Sequence, residues 1–345
     1  MANDQLRFGT LNLQNLQLPG AGLYPGNEPY SQAEYDKKIE WLAQTVRRLD
    51  ADILGLQELW SARCLSDLFQ KAGLESKYEL LTAEPVTTVG KEIDVALAVR
   101  KSCEAGTPEW IKDFPDEFVL KKRKKAGQPD YQMEVEIDRF ARPVLRCEVK
   151  PPKGDAITVF VAHLKSMLAM DLDSEEKAKP AVKKQAQPIG EVLSTIRRTA
   201  EAGALRVILN KEMKGNDVPV ALMGDLNDSP DSVTLQILTG DPSYRFFAKS
   251  KAGGASDAGL YSTAWLQDLR SFRDVLYTYV HEGRQGSLDH ILVSEQFYDY
   301  SERRQWSFRD LRVLNDHLDE RSDKELARVY SDHGGLAARF DYHPA

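Results

Sequence analysis

Six apolar stretches of the sequence end on polar side chains that can hold a metal ion or a phosphate group. One such ending occurs readily by chance, but six in one chain indicate chemistry on a metal or a phosphate. The endings are Thr-Leu-Asn-Leu-Gln-Asn at 10–15, Leu-Gln-Glu at 56–58, His-Leu-Lys-Ser at 163–166, Gly-Asp-Leu-Asn-Asp at 224–228, Leu-Asp-His at 288–290 and Ser-Asp-His at 331–333.

The residue types in these endings fit the hydrolysis of a phosphodiester. That reaction needs a cation to neutralise the phosphoryl oxygens, a base to activate water, and donors that stabilise the charge of the transition state. Carboxylate and amide oxygens such as those of Glu58, Asp332 and Asn12 suit Mg²⁺ or Mn²⁺, because these ions prefer hard oxygen ligands. Asp225 offers a base for the water.

A histidine can act in the same reaction if a carboxylate holds its ring. Asp289 could supply that carboxylate to His333, which would fix the tautomer of the imidazole and favour its charged form near phosphate. The two residues are therefore a candidate pair in a hydrolytic site.

The composition limits the partners of such a site. The 345 residues include 46 Lys and Arg against 53 Asp and Glu, a formal net charge of -7, and 42% of the residues are hydrophobic. These values are typical of a folded globular protein and argue against disorder, collagen-like repeats and a coiled coil. A polyanionic partner must be met by a local basic patch or by bound cations, which argues against a purely electrostatic nucleic-acid binder.

The three cysteines, Cys64, Cys103 and Cys147, form no Cys-x-x-Cys pair. The sequence therefore predicts reduced thiols rather than a disulfide framework or a thiolate zinc site. The first residues show no cationic and apolar leader pattern, and no apolar stretch reaches 18 residues. We therefore expect a cytoplasmic protein that does not associate with membranes.

Short apolar runs rich in β-branched residues predict strands at 6–13, 53–59, 95–99, 144–149, 157–164, 218–226 and 288–293. Three helices are predicted between them. The first opens with a capping box of Ser31 and Glu34, the second follows Ser61, and the longest follows Pro188. The apolar stripe expected to bury the longest helix consists of Ile189, Val192, Leu193, Ile196, Ala200, Ala204, Val207 and Ile208.

Nothing in the sequence marks a domain boundary, since it contains no internal repeat and no low-complexity linker. We therefore expect one α/β domain over residues 1–345, with insertions near 101–142 and 167–187. The first insertion contains a basic run made of Lys121, Lys122, Arg123, Lys124 and Lys125.

Taken together, these motifs resemble those of the endonuclease/exonuclease/phosphatase superfamily, which includes DNase-type nucleases, abasic-site endonucleases, sphingomyelinases and inositol-phosphate phosphatases. Each motif is weak alone, but their types, order and spacing over residues 12–333 are specific. The resemblance implies a four-layer α/β sandwich, in which two packed β-sheets are flanked by helices and one active site lies at an edge of the sheets. The amino-acid sequences of these motifs are most similar to those of bacterial nucleases.

The resemblance also implies roles for individual residues. Glu58 matches the principal metal ligand, while Asn12 and Asp332 match residues that approach the metal. The matches to catalytic positions are His163 and His333 for contact with the phosphate, Asp225 for orienting the water, Asn227 for stabilising the phosphate, and Asp289 for orienting the last histidine. The residues that match less directly, and that we expect to shape the site, are Asn15, Asp228 and His290.

Several of these residues have a structural interpretation as well. His290 could contact the site or pack beneath it, with equal weight, and Asp228 before Ser-Pro is also a turn signature. Arg198 lies on the longest helix and is expected to be structural. The aromatic residues that could stack on bases, although a core position is more usual for each, are Trp60, Tyr131 and Tyr261.

The basic run at 121–125 is the candidate surface for a polymeric substrate. Such a run is ordinarily a solvated loop, but an acidic protein needs positive surface to meet a phosphate polymer, so we expect contact with the substrate. Lys165 and Arg142 are further candidates for substrate binding. Ion pairs with neighbouring acidic residues are the structural alternative.

These observations predict a phosphodiesterase that depends on Mg²⁺ or Mn²⁺ and cleaves nucleic acid, with DNA favoured over RNA. A phosphatase or a lipid phosphodiesterase would use the same residues. A lipid enzyme should expose an apolar loop, and the charged composition of 167–187 indicates none. A non-catalytic binding protein on this fold ranks last, because all six polar strand ends are present.

Overall fold

The structure is a computed structural model that describes residues 4–344 except 86, 88, 91, 123–132, 245–257, 272, 273, 275 and 321–325. The strands, in chain order, are β1 (Gln5–Leu16), β2 (Ile53–Leu59), β3 (Tyr78–Leu81), β4 (Asp94–Arg100), β5 (Glu104–Ala105), β6 (Glu109–Asp113), β7 (Lys121–Lys122), β8 (Met133–Glu134), β9 (Arg139–Lys150), β10 (Ile157–His163), β11 (Val220–Asp225), β12 (Tyr261–Ser262), β13 (Tyr279–His281), β14 (Arg284–Gly286), β15 (Asp289–Val293), β16 (Trp306–Leu314) and β17 (Gly335–Tyr342). The α-helices are α1 (Gln32–Leu49), α2 (Ala62–Lys71), α3 (Ser174–Lys177), α4 (Pro180–Lys183), α5 (Ala186–Met213), α6 (Val233–Thr239), α7 (Thr263–Asp268) and α8 (Leu326–Val329). Short 3₁₀ helices lie at Glu295–Phe297 and Asp316–Glu320.

Most strands belong to two mixed β-sheets. The strand order is β16-β17-β1-β2-β4-β3 in the first sheet and β12-β15-β11-β10-β9-β5 in the second, where β6 also pairs with β9. Strands β1 and β2 are parallel, as are β10 and β11, and the other pairs described in these sheets are antiparallel. The hairpins β7–β8 and β13–β14 form separate two-stranded ribbons.

The two sheets pack face to face around an inner core. Phe8 and Val95 of the first sheet belong to the same buried cluster as Val161 and Met223 of the second. A Cβ atom on Gly55 would lie 2.8 Å from Cγ of Met223, so the glycine allows the sheets to approach closely.

Helices cover the outer face of each sheet. Leu42 of α1 and Leu65 of α2 pack with the first sheet, and Leu205 of α5 and Leu235 of α6 pack with the second. The order of layers is therefore helix, sheet, sheet, helix. The predicted four-layer α/β sandwich is confirmed.

The first predicted helix begins where the capping box places it. The Ser31 hydroxyl accepts a hydrogen bond from the Glu34 backbone N–H, and the Glu34 carboxylate accepts one from the Ser31 backbone N–H. These bonds satisfy backbone donors that the first turn of a helix leaves unpaired. The seven predicted strands are also present, as β1, β2, β4, β9, β10, β11 and β15.

The buried stripe predicted for the longest helix is wrong in its first half. Ile189, Val192, Leu193 and Ile196 of α5 have 36% to 57% of their surface exposed. In the second half, Ala200 and Ala204 are buried as predicted, but Val207 and Ile208 are only half-buried. Apolar periodicity alone does not reveal which side of a helix its neighbours will occupy.

The face of α5 that is buried instead is covered by the chain just after β10. The Met170 backbone N–H donates to the Gly190 carbonyl, and the Ser194 hydroxyl donates to the Leu168 carbonyl. The side chain of Leu168 itself is 75% exposed and that of Met167 is 46% exposed. Residues 167–187 are expected to form no exposed apolar loop; the segment exposes two consecutive apolar residues at its start, Met167 and Leu168, while Leu172 is buried.

The segment 101–142 is not a single surface insertion. Its strands β5 and β6 pair with β9 and extend the second sheet. Strand β9 begins at Arg139, so Arg142 lies within a strand. The segment 167–187 contains the short helices α3 and α4, whose residues are exposed or half-buried.

The three cysteines and the helices bear on two expectations from composition. Cys64, Cys103 and Cys147 are buried free thiols, as predicted. Among the described residues, no helix is both long and apolar enough to cross a membrane.

Candidate active site

Four polar strand ends face inward at one edge of the sandwich. Side chains alternate between the two faces of a strand, so residues two positions apart share a face. The inward-facing residues two or four positions away are Phe8 for Asn12, Val161 for His163, Met223 for Asp225 and Ile291 for Asp289. The sequence pattern of each strand thus aims one polar side chain between the sheets.

The strand register brings three of these residues into one row. His163 of β10 is paired with Asp225 of the parallel strand β11. Asp225 is in turn paired with Asp289 of the antiparallel strand β15. The row lies opposite Asn12, which belongs to the other sheet.

Glu58 reaches this row through an irregular backbone. Strict alternation would place it with Leu54 and Leu56 on the helix-covered face of β2. Instead Glu58 has φ of 62°, a left-handed value uncommon for a residue other than glycine. Its Oε1 accepts a hydrogen bond of 3.0 Å from Nδ2 of Asn12. The bulge of β2 therefore turns this carboxylate towards the site.

Asn12 links carboxylates from the two sheets. Its Nδ2 also donates to Oδ2 of Asp225 over 3.0 Å, and Asp225 is almost fully buried. Burial raises the pKa of Asp225 to about 7; His333 opposes the rise, and the negative charges of Asp289 and Glu58 add to it. Two carboxylates thus share one neutral amide as a donor.

This arrangement fits a divalent cation. Among the described residues, two groups have ligand atoms within 4.8 Å of one another, namely Glu58 with His163 and Asp225, and Asp225 with Asp289 and His333. The carboxylates of Glu58, Asp225 and Asp289 face one charged ring, that of His333, so a divalent cation would offset negative charge that this ring does not balance. Carboxylate and amide oxygens suit Mg²⁺ or Mn²⁺.

Asp332, the third predicted metal ligand, belongs to neither of those two groups in the described chain. Its side chain is half-buried. Burial raises the pKa of Tyr30, Arg328 opposes this, and the carboxylates of Glu58 and Asp332 raise it further. Both carboxylates therefore act on the same tyrosine hydroxyl from nearby.

His163 is buried as a neutral ring. Its Nε2 lies 3.4 Å from Oδ2 of Asp225, and its Nδ1 has no hydrogen-bond partner. Burial lowers the pKa of His163 well below its usual value, and the positive charges of Arg142, His333 and Lys165 lower it further. The ring can therefore meet an anionic group without bringing a charge of its own.

His333 is the charged counterpart of His163. Its Nδ1 lies 2.8 Å from Oδ2 of Asp289, and its Nε2 lies 3.7 Å from Oδ2 of Asp225. Burial alone would lower the pKa of His333, but Asp289 and Asp225 raise it well above the usual value. His333 is therefore an imidazolium whose Nε2 faces the site, where it can donate a proton.

The main chain of His333 is held by two neighbours. Its backbone N–H donates to the Ser331 hydroxyl, and that hydroxyl donates to the Asn12 carbonyl. Nε2 of His317 lies 3.1 Å from the His333 carbonyl oxygen. The contact of His317 was not predicted, because no motif surrounds it in the sequence.

Asn227 and Arg142 meet at one carbonyl oxygen beside the row. Nδ2 of Asn227 and Nη1 of Arg142 both donate to the Leu164 carbonyl, over 3.0 Å and 3.2 Å. The Asn227 backbone N–H also donates to Oδ1 of Asp225. Nε of Arg142 is buried without a hydrogen-bond partner. An orphaned guanidinium nitrogen near His163 is suited to an anionic ligand.

The other basic candidates are placed differently. Nζ of Lys165 donates to the Ser166 hydroxyl and to the Leu168 carbonyl. Lys121 forms an ion pair with Glu134 across the hairpin β7–β8, which is the structural alternative for this run. Lys122 is exposed on the same hairpin, while Arg123, Lys124 and Lys125 fall outside the described residues.

The site-shaping candidates support the loops beneath the row. Oδ2 of Asp228 accepts hydrogen bonds from Nε of Arg198 and from the Thr234 hydroxyl. Nε2 of the buried His290 lies 2.8 Å from the Asp228 carbonyl oxygen. His290 and Arg198 thus both contact Asp228. The Asn15 backbone N–H donates to Oε2 of Glu58 over 2.8 Å.

The aromatic candidates mostly belong to the core. Tyr261 is 1% exposed, Trp60 is buried, and Tyr131 lies outside the described residues. Tyr24, which was not predicted, packs edge-on against Trp60 and is 39% exposed. Nε1 of Trp60 donates to Oδ1 of Asn15, so the pair adjoins the Glu58 side of the site.

Comparisons with known proteins identify the family of the chain. The sequence model of the endonuclease/exonuclease/phosphatase family matches residues 122–333, which is more than half of the chain. A search of the curated proteins gave no match.

Several solved structures share the fold. TDP2 from D. rerio, complexed with a single-strand DNA product, has a TM-score of 0.55 at 14% sequence identity and covers 98% of this chain and 99% of its own. A family protein from Bacteroides thetaiotaomicron has a TM-score of 0.55 at 14% identity, with 99% of each chain covered. The human Nocturnin catalytic domain with bound sulfate has a TM-score of 0.50 at 16% identity and covers 99% of this chain and 95% of its own. At these identities the likeness shows the fold alone.

Proposed function

The chain belongs to the endonuclease/exonuclease/phosphatase family of metal-dependent phosphoester hydrolases, and from that premise we propose that it cleaves phosphodiester bonds in nucleic acid, with DNA favoured over RNA. The observation that carries the proposal is the meeting of Glu58, Asn12 and Asp225 beside a neutral and a charged histidine. The carboxylates and the amide can hold a cation, and the two histidines can hold and protonate a phosphate.

The residues divide the work of the reaction. Glu58 and Asn12, with Asp332 nearby, would hold Mg²⁺ or Mn²⁺, which would supply positive charge to the phosphoryl oxygens. Asp225 accepts the proton of the attacking water, for which a pKa raised to about 7 by burial is well matched. His333 donates a proton from Nε2 to the leaving oxygen.

The remaining residues bind the phosphate. His163 meets it through a neutral ring, and Asn227 fixes the turn after β11 beside it. Asp289 keeps His333 charged and in one orientation.

Support for a polymeric substrate comes from the basic residues beside the row. Arg142 retains an unpartnered buried nitrogen, and Lys165 lies close enough to His163 to lower its pKa. In a protein of net charge -7, this local pair supplies positive charge for phosphates that flank the scissile one. A single-strand DNA product bound to the D. rerio TDP2 structure makes DNA a reasonable first substrate.

The direct test is hydrolysis by the purified protein. Plasmid DNA, linear DNA, RNA and a chromogenic phosphodiester are incubated with Mg²⁺, with Mn²⁺ or with EDTA. We expect metal-dependent cleavage that is fastest on DNA, and its loss in Asp225→Asn. Metal-dependent hydrolysis of the chromogenic ester without cleavage of any nucleic acid would contradict the nuclease proposal.

A second candidate function, hydrolysis of a lipid phosphodiester, is favoured by one observation. Met167 and Leu168, the second and third residues after Lys165, are both exposed, and Lys165 lies close enough to His163 to lower its pKa. Exposed apolar patches beside a site often mark contact with lipid or protein.

Phospholipid vesicles distinguish the two candidates. If the lipid candidate holds, the wild type hydrolyses vesicle phospholipid, and Leu168→Glu reduces that rate without changing the rate on a soluble chromogenic diester. Val233→Glu is the control, because Val233 is 63% exposed on α6. No hydrolysis of vesicle phospholipid by the wild type would reject this candidate.

A further inference from the structure

The turn that follows Asn12 has an unfavourable backbone. Gln14 and Asn15 are consecutive residues with φ of 48° and 53°, in the left-handed region. Residues other than glycine pay a conformational cost there, and such a pair persists only when its surroundings hold it. We therefore expect this turn to have a role in the site and to be stabilised by its neighbours.

The turn at Gln14 and Asn15 donates two main-chain hydrogen bonds to residues of the site. The Asn15 N–H donates to Oε2 of Glu58, and the Gln14 N–H donates to Oδ1 of Asn12, both over 2.8 Å. Successive backbone N–H groups in such a turn form a small concave site for negatively charged oxygen. The turn thus orients two of the residues proposed to hold the metal.

Its support comes from buried side chains. The Tyr30 hydroxyl donates to the Gln14 carbonyl over 3.2 Å, and Nζ of the buried Lys38 lies 3.5 Å from Oε1 of Gln14. Nε1 of Trp60 donates to Oδ1 of Asn15. These groups reach the turn from α1 and its cap and from the end of β2.

Tyr30 is itself fixed in place. It precedes Ser31, the N-cap residue of α1, and is buried. The cationic groups of Lys38 and Arg328 lie 5.5 Å and 5.1 Å from the centre of its ring. A phenol ring that contacts two cations at the start of a helix is a firm anchor for a turn.

We propose that Tyr30 is a positioning residue for the metal ligand Glu58, acting through the turn at Gln14 and Asn15. This inference rests on the proposed metal-dependent function. Removal of the hydroxyl leaves the strained turn without the hydrogen bond to its carbonyl. The Asn15 N–H is then no longer held in position to donate to Glu58, so the affinity for the metal falls. The reacting groups on β10, β11 and β15 stay in place.

The test compares Tyr30→Phe with Tyr35→Phe. Tyr35 is also a buried tyrosine at the start of α1, but its hydroxyl donates to Asp67, away from the turn. Mn²⁺ binding is measured by electron paramagnetic resonance, and the Mg²⁺ dependence of chromogenic diester hydrolysis is measured in parallel. Loss of a residue that orients a metal ligand costs roughly 10-fold or more in metal affinity. We expect that weakening in Tyr30→Phe, with kcat at saturating Mg²⁺ nearly unchanged, and no weakening in Tyr35→Phe.

Other outcomes overturn the inference. Wild-type Mn²⁺ affinity in Tyr30→Phe, or an equal weakening in Tyr35→Phe, removes the positioning role. A wild-type protein that hydrolyses diesters without binding Mn²⁺ overturns the metal-dependent function and the inference together. If the wild type binds Mn²⁺ and the Tyr30→Phe variant binds it equally well, the inference about Tyr30 is overturned while the metal-dependent function stands.

A second variant covers the case in which Tyr30→Phe does not fold. Trp60→Phe removes the donor to Oδ1 of Asn15 and so acts on the same turn at its other residue. We expect it also to weaken Mn²⁺ binding. Unchanged Mn²⁺ affinity there would show that the turn does not control Glu58.

Discussion

Nδ1 of His333 lies 2.8 Å from Oδ2 of Asp289, and both side chains are buried. The contact explains why the pKa of His333 is raised although burial opposes it. A ring held in this way presents Nε2 to the site in a fixed orientation, as the carboxylate does for histidine in a hydrolytic triad.

The first prediction is that Asp289→Asn and His333→Ala are strongly non-additive. A carboxylate that only orients and charges an imidazole has little effect once the ring is gone. We expect the double variant to hydrolyse a chromogenic diester about as fast as His333→Ala alone. Rate losses that multiply in the double variant would indicate that the two residues act independently.

The second prediction is that Glu58→Gln loses most of its activity at limiting Mg²⁺ while keeping its fold. The substitution removes a charged ligand with little change in volume. The matched control is Glu79→Gln, since Glu79 is an exposed strand residue of β3. Circular dichroism checks the fold, and turnover across a Mg²⁺ titration checks the metal. Equal metal dependence in both variants would contradict the assignment of Glu58.

The fold, and the meeting of several candidate site residues at one edge of it, could be predicted because both follow from local patterns. Alternation along β10 and β11 sets the inward direction of His163 and Asp225, and the strand register then makes them neighbours. The motifs therefore carried information about geometry as well as about residue type.

The features that escaped prediction depend on long-range packing. The motif predicts Glu58 as a metal ligand, but alternation does not reveal the left-handed backbone that turns its side chain towards the site. The apolar residues of α5 are exposed because the chain after β10 crosses a different face, at Ser194. Tyr30 lies in no motif, and its contact with Gln14 appears only when the loop before α1 is folded.

The third prediction concerns pH and Asp94, at the start of β4. Burial, with smaller contributions from Glu84 and Glu92, raises the pKa of Asp94 to about 6 from 3.8. The folded state therefore favours the protonated carboxyl. Its contribution to the free energy of unfolding is full below pH 4 and is lost as the pH rises through about 6.

Asp94→Asn should abolish this loss of stability above about pH 6. The amide oxygen can still accept the hydrogen bond from the Val95 backbone N–H. Urea unfolding should show a variant more stable than the wild type at pH 8, by at most about 3 kcal/mol, and no more stable at pH 4. Asp116→Asn, at an exposed position, is the control. A stability difference that is the same at both pH values would disprove this account of Asp94.

The last prediction asks which basic residues hold the phosphates that flank the scissile one. Arg142→Gln should weaken DNA binding and reduce its salt dependence by about one counterion, because each phosphate contact releases about one ion. Arg139→Gln is the matched control: Arg139 lies three residues earlier on β9, is exposed, and pairs with Asp138. Binding is measured by fluorescence anisotropy from low to moderate salt. An Arg142→Gln variant with wild-type affinity and salt slope would mean that Arg142 serves only to hold the Leu164 carbonyl. If joint replacement of Lys121 and Lys122 by Gln lowered the slope instead, the polymer would run along the hairpin β7–β8.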